Sequence, residues 1–132
     1  MRQPGRLWWR LGFLAFVAVM VPVGLAVRRV DPTPGSVISS VLYELMLVAL
    51  AMAAVPYRRA VVPVCVGVCL LTVTLEFLQL WQPPWLQSIR ATRLGQGALG
   101  SSFDWRDLPT YPLGCAIGAA VLLKIMPLER QP

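Results

Sequence analysis

The 132-residue chain contains no histidine, only three cysteines and six acidic residues, and just 14% of its residues are charged. A soluble domain carries about 25% charged residues, so this composition argues against a soluble globular protein. Without histidine or a Cys-x-x-Cys motif, the usual zinc ligands and their spacing are missing. We therefore expect no metal and no cofactor, and we interpret Cys65, Cys69 and Cys115 as small packing residues.

Catalytic motifs are also missing. The chain has no nucleophile motif, no histidine and no metal-ligand spacing. The sequence Gly95-Gln-Gly97-Ala-Leu-Gly100 does spell G-x-G-x-x-G, but it follows no predicted strand. A dinucleotide-binding loop requires that strand. The sequence thus favours a protein that is not an enzyme, although it does not decide the question.

Long apolar runs take the place of the missing charge, since 57% of the residues are hydrophobic. The four runs cover about residues 7–27, 37–56, 60–81 and 108–126. Each is close to the ~20 residues that a helix needs to cross a bilayer, and a helix satisfies its own backbone in hydrocarbon. The sequence predicts an all-α polytopic membrane protein. It forms one membrane domain over residues 1–132, with four transmembrane helices and a longer loop between the third and the fourth.

The distribution of basic residues along the chain indicates its orientation in a membrane rather than a nucleic-acid partner. The formal net charge is +6, and nearly every basic residue flanks an apolar run. That distribution is typical of contact with lipid headgroups. An orientation with both termini in the cytoplasm puts seven basic residues inside and five outside. We therefore expect both termini to be cytoplasmic, with membrane lipids as partners and no nucleic acid.

Polar residues recur at helical spacing in three of the four runs. Residues three or four apart lie on the same face of a helix, and a polar face in a membrane turns towards protein rather than lipid. Helix two carries Ser36, Ser40 and Glu44; helix three carries Cys65, Cys69, Thr72, Glu76 and Gln79; helix four carries Asp104, Asp107, Tyr111, Gly114 and Gly118.

The predicted topology brings these faces together. Helix two begins on the side of the membrane where helix three ends and helix four begins, so their polar residues share one half of the bilayer. We predict one polar pocket there, formed by Glu44, Glu76, Gln79, Arg90, Arg93, Asp104, Asp107 and Tyr111. The alternative is a structural clasp, in which Arg90, Arg93 or Arg106 neutralises the carboxylates.

Short residue patterns predict the local structure of the loop and of the start of helix four. Trp85, Leu86 and Ile89 predict a short interfacial helix. The glycines of residues 95–100 predict a turn at the membrane surface. Asp107 is expected to be the N-cap of helix four, with a proline in the first turn.

Several of these residues resemble a known family. They are Glu76-Phe-Leu-Gln79, Arg93-Leu-Gly95, Leu99-Gly-Ser-Ser-Phe-Asp104-Trp-Arg-Asp107 and Tyr111-x-x-Gly114. They are similar to the domain-of-unknown-function 2809 family of small bacterial membrane proteins, and more distantly to VanZ-like proteins. VanZ-like proteins have Asn in place of Tyr111, and the family's Gly-Asp pair before helix two is Gly35-Ser36 here. The resemblance implies a multi-pass protein of the bacterial inner membrane with no assigned reaction.

Three functional hypotheses follow. In the first, the pocket binds a lipid or cell-envelope precursor headgroup, with Arg90 and Arg93 holding phosphate and the carboxylates binding a cation. In the second, the protein is a small oligomeric transporter or ion-coupled carrier, and Gly114-x-x-x-Gly118 supplies the helix-packing surface. In the third, the chain is an accessory subunit of a larger membrane complex.

Overall fold

The computed structural model describes residues 4–30, 37–99 and 103–128, and the regular secondary structure in these segments is helical. The helices are α1 (Pro4–Val30), α2 (Val37–Ala54), α3 (Val61–Leu78), α4 (Pro84–Arg90), α5 (Arg93–Leu99) and α6 (Thr110–Ile125), with one turn of 3-10 helix at Arg58–Ala60. The four predicted long helices are therefore present, and each end lies within three residues of its predicted position. Ser36 and Gly100 lie outside the described residues.

Three helical segments have the length and apolar character that a membrane crossing requires. They are Gly5–Val27 within α1, Val37–Ala54, and Arg58–Leu78, which joins the 3-10 turn to α3. The fourth predicted span, α6, is a shorter apolar helix of 16 residues. At 1.5 Å per residue it is ~24 Å long, against ~30 Å for a hydrocarbon core. The chain is an all-helical membrane protein by these criteria.

Helix α2 lies at the centre of the bundle, where it packs against α1, α3 and α6, and α3 also packs against α6. The buried core contains Phe13, Val48, Ala49, Met52, Val61, Cys65, Val68, Cys115, Leu122 and Met126. Most of the side chains of α1 are exposed, because α1 packs mainly along one side of α2. An exposed apolar surface of this kind suits contact with lipid.

Contacts at one end of the bundle establish the direction of the helices. The guanidinium of Arg58, just before α3, donates to the main-chain oxygens of Leu123 and Met126 at the end of α6. Arg6, near the start of α1, lies over the ring of Tyr57 at 4.3 Å and donates to its hydroxyl. The start of α2, the end of α3 and the start of α6 therefore meet at the opposite end, as the predicted topology requires.

The loop between α3 and α6 contains two short helices. The short helix predicted here is present as α4, and its place at the membrane interface stays a prediction. The predicted turn at the glycines is wrong, because Gly95 and Gly97 lie within α5. The hydroxyl of Thr92 accepts a hydrogen bond from the N–H of Gly95 at 3.0 Å and so starts that helix. A Cβ atom on Gly95 would overlap the carbonyl oxygen of Ile89, so glycine there allows α4 and α5 to approach closely.

Candidate functional site

The carboxylate of Glu76 joins α3 to the chain around the start of α6. Its Oε2 accepts a hydrogen bond from the hydroxyl of Tyr111 at 2.7 Å, and its Oε1 accepts one from the backbone N–H of Asp104 at 2.7 Å. The side-chain amide of Gln79 donates to Oε2 at 3.3 Å. Glu76 is only 2% exposed. Burial removes the hydrogen bonds that a carboxylate makes to water, and these three donors replace them.

Asp107 links the same region to α2, since its Oδ1 accepts a hydrogen bond from the hydroxyl of Ser40 at 2.8 Å. The predicted N-cap role of Asp107 is wrong, because α6 begins at Thr110 and Pro109 precedes it without a side-chain cap. The backbone carbonyl of Asp107 accepts from the N–H groups of Thr110 and Tyr111, while its carboxylate reaches α2. We refer to Ser40, Glu76, Gln79, Asp104, Asp107 and Tyr111 as the carboxylate cluster.

Gln79 leaves one acceptor of this cluster without a partner. The residue is 6% exposed, and its Oε1 accepts no hydrogen bond in the described part of the chain. Exchanging the amide oxygen and nitrogen would set an oxygen against the Glu76 carboxylate, so the hydrogen bond from Nε2 determines the orientation. A buried acceptor without a donor costs about 1–3 kcal/mol. The amide oxygen of Gln79 is therefore an acceptor that the described residues leave unsatisfied.

The two arginines of the predicted pocket lie in different surroundings. Arg90 is buried at the end of α4, and its guanidinium donates to the carbonyl oxygens of Leu78 at 2.9 Å and Trp81 at 3.1 Å. The last carbonyls of a helix lack partners within the helix, so Arg90 fastens α4 to the end of α3. Its terminal nitrogens are thus engaged by main-chain oxygens. Arg93, at the start of α5, is exposed.

Glu44 belongs to a second network, deeper in the bundle. It is fully buried, and its Oε1 accepts hydrogen bonds from the hydroxyl of Thr72 at 3.1 Å and the thiol of Cys115 at 3.0 Å. Its Oε2 accepts none from the described residues. Among the described residues, Glu44 shares no hydrogen-bond partner with Glu76 or Asp107, and the single pocket expected from the sequence stays a prediction.

Gly114 and Gly118 allow α6 to approach α2 closely. A Cβ atom on Gly114 would lie 2.8 Å from the Cβ of Glu44, and one on Gly118 would lie 3.3 Å from Cδ2 of Leu45. Both glycines are buried within the monomer. These two glycines are therefore not exposed on the monomer as a contact surface between copies of an oligomeric carrier.

A family model matches residues 34–115, more than half of the chain, and it is described as a protein of unknown function, DUF2809. The chain belongs to the DUF2809 family. The resemblance to the DUF2809 family seen in the sequence is thus confirmed, and the more distant resemblance to VanZ-like proteins stays a prediction. The matched range contains α2 to α5, the start of α6, the whole carboxylate cluster and Glu44. No solved structure matches the chain.

The surroundings of Glu44 in this DUF2809 protein are not evident from the sequence. The carboxylate of Glu44 and the sulfur atoms of Cys69 and Cys115 lie within 4.8 Å of one another. The sequence predicts packing roles for the cysteines, because spacing along the chain does not reveal residues that meet from three helices. A partial signal was present. Cys69 belongs to the polar face of α3, and Cys115 follows Tyr111 by four residues and so shares its face.

Proposed function

We propose that this DUF2809 protein crosses the bacterial inner membrane four times, through α1, α2, α3 and α6, with both termini in the cytoplasm. We propose further that its carboxylate cluster binds the polar headgroup of a lipid or of a cell-envelope precursor. The turn residues 105–109 precede α6, so they would complete the crossing that α6 begins. Glu76, Gln79, Asp104 and Asp107 resemble the E-x-x-Q and D-x-x-D residues of VanZ-like proteins, and because those proteins are associated with the cell envelope, the distant resemblance implies an envelope role.

The unpartnered Oε1 of Gln79 is the observation that carries this proposal. It is a buried acceptor beside an acidic group, at the end of the bundle where the polar faces of α2, α3 and α6 meet. Buried polar atoms without partners are uncommon in native proteins and point to a missing water or ligand. An ammonium or hydroxyl group of a headgroup is a donor that would satisfy it.

The charges around the cluster suit a headgroup of mixed charge. Asp104 and Asp107 are partly exposed, so a cationic group can reach them from the membrane surface. Arg93 and Arg106 are exposed in the same loop region, and their guanidinium groups are suited to bind phosphate. Arg90 has a structural role in this scheme, because its terminal nitrogens bind main-chain oxygens.

Lipid titration of the delipidated protein, followed by native mass spectrometry, tests the proposal. The probes are phosphatidylethanolamine, which carries phosphate and ammonium, and a polyprenyl phosphate, which carries phosphate alone. A hydrogen bond to a charged group contributes about 1.5–3 kcal/mol, and about 1.4 kcal/mol corresponds to a tenfold change in affinity. We therefore expect Arg93→Gln to weaken binding of the preferred probe by about tenfold.

Two further variants separate the headgroup chemistries. Asp104→Asn keeps an oxygen that can accept the backbone N–H of Arg106, so it changes the charge with little change in shape. It should weaken phosphatidylethanolamine binding but not polyprenyl phosphate binding. Lys124→Gln, which removes a charge at the other end of α6, is the matched control and should change neither. Equal binding by the parent, Arg93→Gln and Asp104→Asn would refute the proposal.

A purely structural cluster is the second candidate, and one observation favours it. Both carboxylate oxygens of Glu76 already accept hydrogen bonds from within the chain. Such a clasp would fit an accessory subunit that packs against a larger membrane partner. In that case Glu76→Gln would destabilise the protein while lipid binding stays unchanged in the folded fraction, and purification under mild detergent would yield a partner in stoichiometric amount.

A further inference from the structure

A second polar group lies inside the helical bundle, apart from the carboxylate cluster. Glu44 of α2, Cys69 of α3 and Cys115 of α6 bring one carboxylate oxygen and two sulfur atoms within 4.8 Å of one another. Glu44 and Cys115 are buried, and Cys69 is partly buried. The three residues lie about 8–14 Å along their helices from the end that holds the cluster, at 1.5 Å per residue. This depth is within the apolar part of the bundle.

The hydrogen bonds around Glu44 do not satisfy its carboxyl group. The Oγ1 atom of Thr72 lies 3.1 Å from Oε1 of Glu44, and also 3.0 Å from the carbonyl oxygens of both Val68 and Cys69. A hydroxyl has one hydrogen, so it cannot donate to three acceptors at once. The Cys115 thiol is a weak donor, and Oε2 has no partner among the described residues. Among the described residues, Glu44 therefore lacks the donors that a carboxylate in an apolar interior needs, and a bound cation would compensate its charge.

We propose that Glu44, Cys69 and Cys115 bind a thiophilic divalent metal ion of the Zn²⁺ type. Thiolate sulfur prefers soft and borderline metals, whereas Ca²⁺ and Mg²⁺ require several oxygen ligands. Two thiolates and a carboxylate are all accepted zinc ligands. The proposal is independent of headgroup binding, because it uses none of the residues of the carboxylate cluster.

Distances and charge both agree with such a site. Zn–S bonds of about 2.3 Å in a tetrahedral arrangement separate two sulfur atoms by about 3.8 Å. The present ligand atoms lie within 4.8 Å of one another, so small side-chain rotations bring them to that spacing. Each thiol loses its proton on binding, and both protons pass to water. The two thiolates and the Glu44 carboxylate then carry three negative charges against the two positive charges of the ion. The occupied site therefore has a net charge of −1, no larger than that of the Glu44 carboxylate alone.

Cadmium titration of the reduced, full-length protein in detergent tests the site. Cd²⁺ bound to thiolate gives an ultraviolet charge-transfer absorption, so binding is observed directly. We expect an equimolar endpoint for the parent protein. Cys69→Ser and Cys115→Ser should each lose this absorption, and Glu44→Gln should lower the affinity about tenfold or more, a loss of about 1.4 kcal/mol. Cys65→Ser is the matched control, because Cys65 is a buried cysteine of α3 outside this ligand group.

A second measurement uses the parent protein alone, in case a variant fails to fold. Membrane-permeant maleimide is added with and without Zn²⁺, and the rate of alkylation of each cysteine is read by mass spectrometry. Bound Zn²⁺ should slow the alkylation of Cys69 and Cys115 at least severalfold and leave that of Cys65 unchanged. The absence of this selective protection would overturn the proposal, as would Cd²⁺ absorption that is absent from the parent or equally reduced by Cys65→Ser.

Discussion

Replacement of Gly114 by alanine is a direct test of how closely α6 packs against α2. The new Cβ would lie 2.8 Å from Cβ and 3.0 Å from Cγ of Glu44. Glu44 is fully buried, so its Cβ and Cγ have little room to move away from α6. In Gly118→Ala the nearest atom is Cδ2 of Leu45 at 3.3 Å, the flexible end of a side chain. In Gly67→Ala the new Cβ would have no atom of the described residues within 4 Å, apart from the neighbouring backbone of its own helix.

The three variants allow the packing penalty to be separated from helix propensity. Alanine is favoured over glycine inside a helix by about 0.5–1 kcal/mol, and this gain is common to all three positions. Overpacking a tight interface costs about 1–3 kcal/mol. We therefore expect the free energy of unfolding of Gly114→Ala to be about 1–3 kcal/mol below that of Gly67→Ala, with Gly118→Ala between them.

The measurement is reversible unfolding of the protein in mixed micelles, followed by circular dichroism as the fraction of denaturing detergent increases. The order Gly67→Ala, Gly118→Ala, Gly114→Ala from most to least stable is expected. A Gly114→Ala variant as stable as Gly67→Ala would show that α6 does not contact Glu44 closely, and the placement of α6 against α2 would then be wrong.

Two further predictions concern single hydrogen-bonded groups. Tyr111→Phe removes a donor from the buried carboxylate of Glu76 and should lower the free energy of unfolding by about 1.5–3 kcal/mol. The control Tyr57→Phe loses a hydrogen bond at an exposed site and should lower it by less than about 0.5 kcal/mol. Equal effects of the two variants would contradict the buried position of the Tyr111 hydroxyl. Arg90→Gln should speed hydrogen–deuterium exchange in α4, because the guanidinium of Arg90 attaches that helix to the end of α3. The control Arg93→Gln should leave the exchange in α4 unchanged. Similar exchange in both variants would contradict the role of Arg90.

Much of the fold could be predicted from local features of the sequence. The apolar runs marked the four long helices, because their length and composition reflect the surroundings of each segment alone. The short helix α4 was also predicted, since Trp85, Leu86 and Ile89 recur at helical spacing. The convergence of polar faces at one end followed from the alternating direction of successive spans.

The predictions that were wrong depended on contacts between segments. Asp107 has the residue type and position of an N-cap, yet its carboxylate accepts a hydrogen bond from Ser40 of α2. The glycines after Arg93 suggested a turn, yet they lie in α5, where the absence of a side chain on Gly95 lets α5 approach α4. At Asp107 a long-range contact with α2 outweighed a local preference of about 1 kcal/mol, whereas at Gly95 the contact is with Ile89 of the neighbouring helix α4.

The sequence by itself determined that this DUF2809 protein is an all-helical membrane protein with polar faces on three helices, because hydrophobicity and helical period are properties of one segment at a time. Only the tertiary structure decided which polar groups meet. The rotation of α6 against α2, set by Gly114 and Gly118, pairs Glu76 with Tyr111 and leaves Glu44 beside Cys69 and Cys115. That rotation depends on packing between side chains of distant segments, which no pattern within one helix specifies.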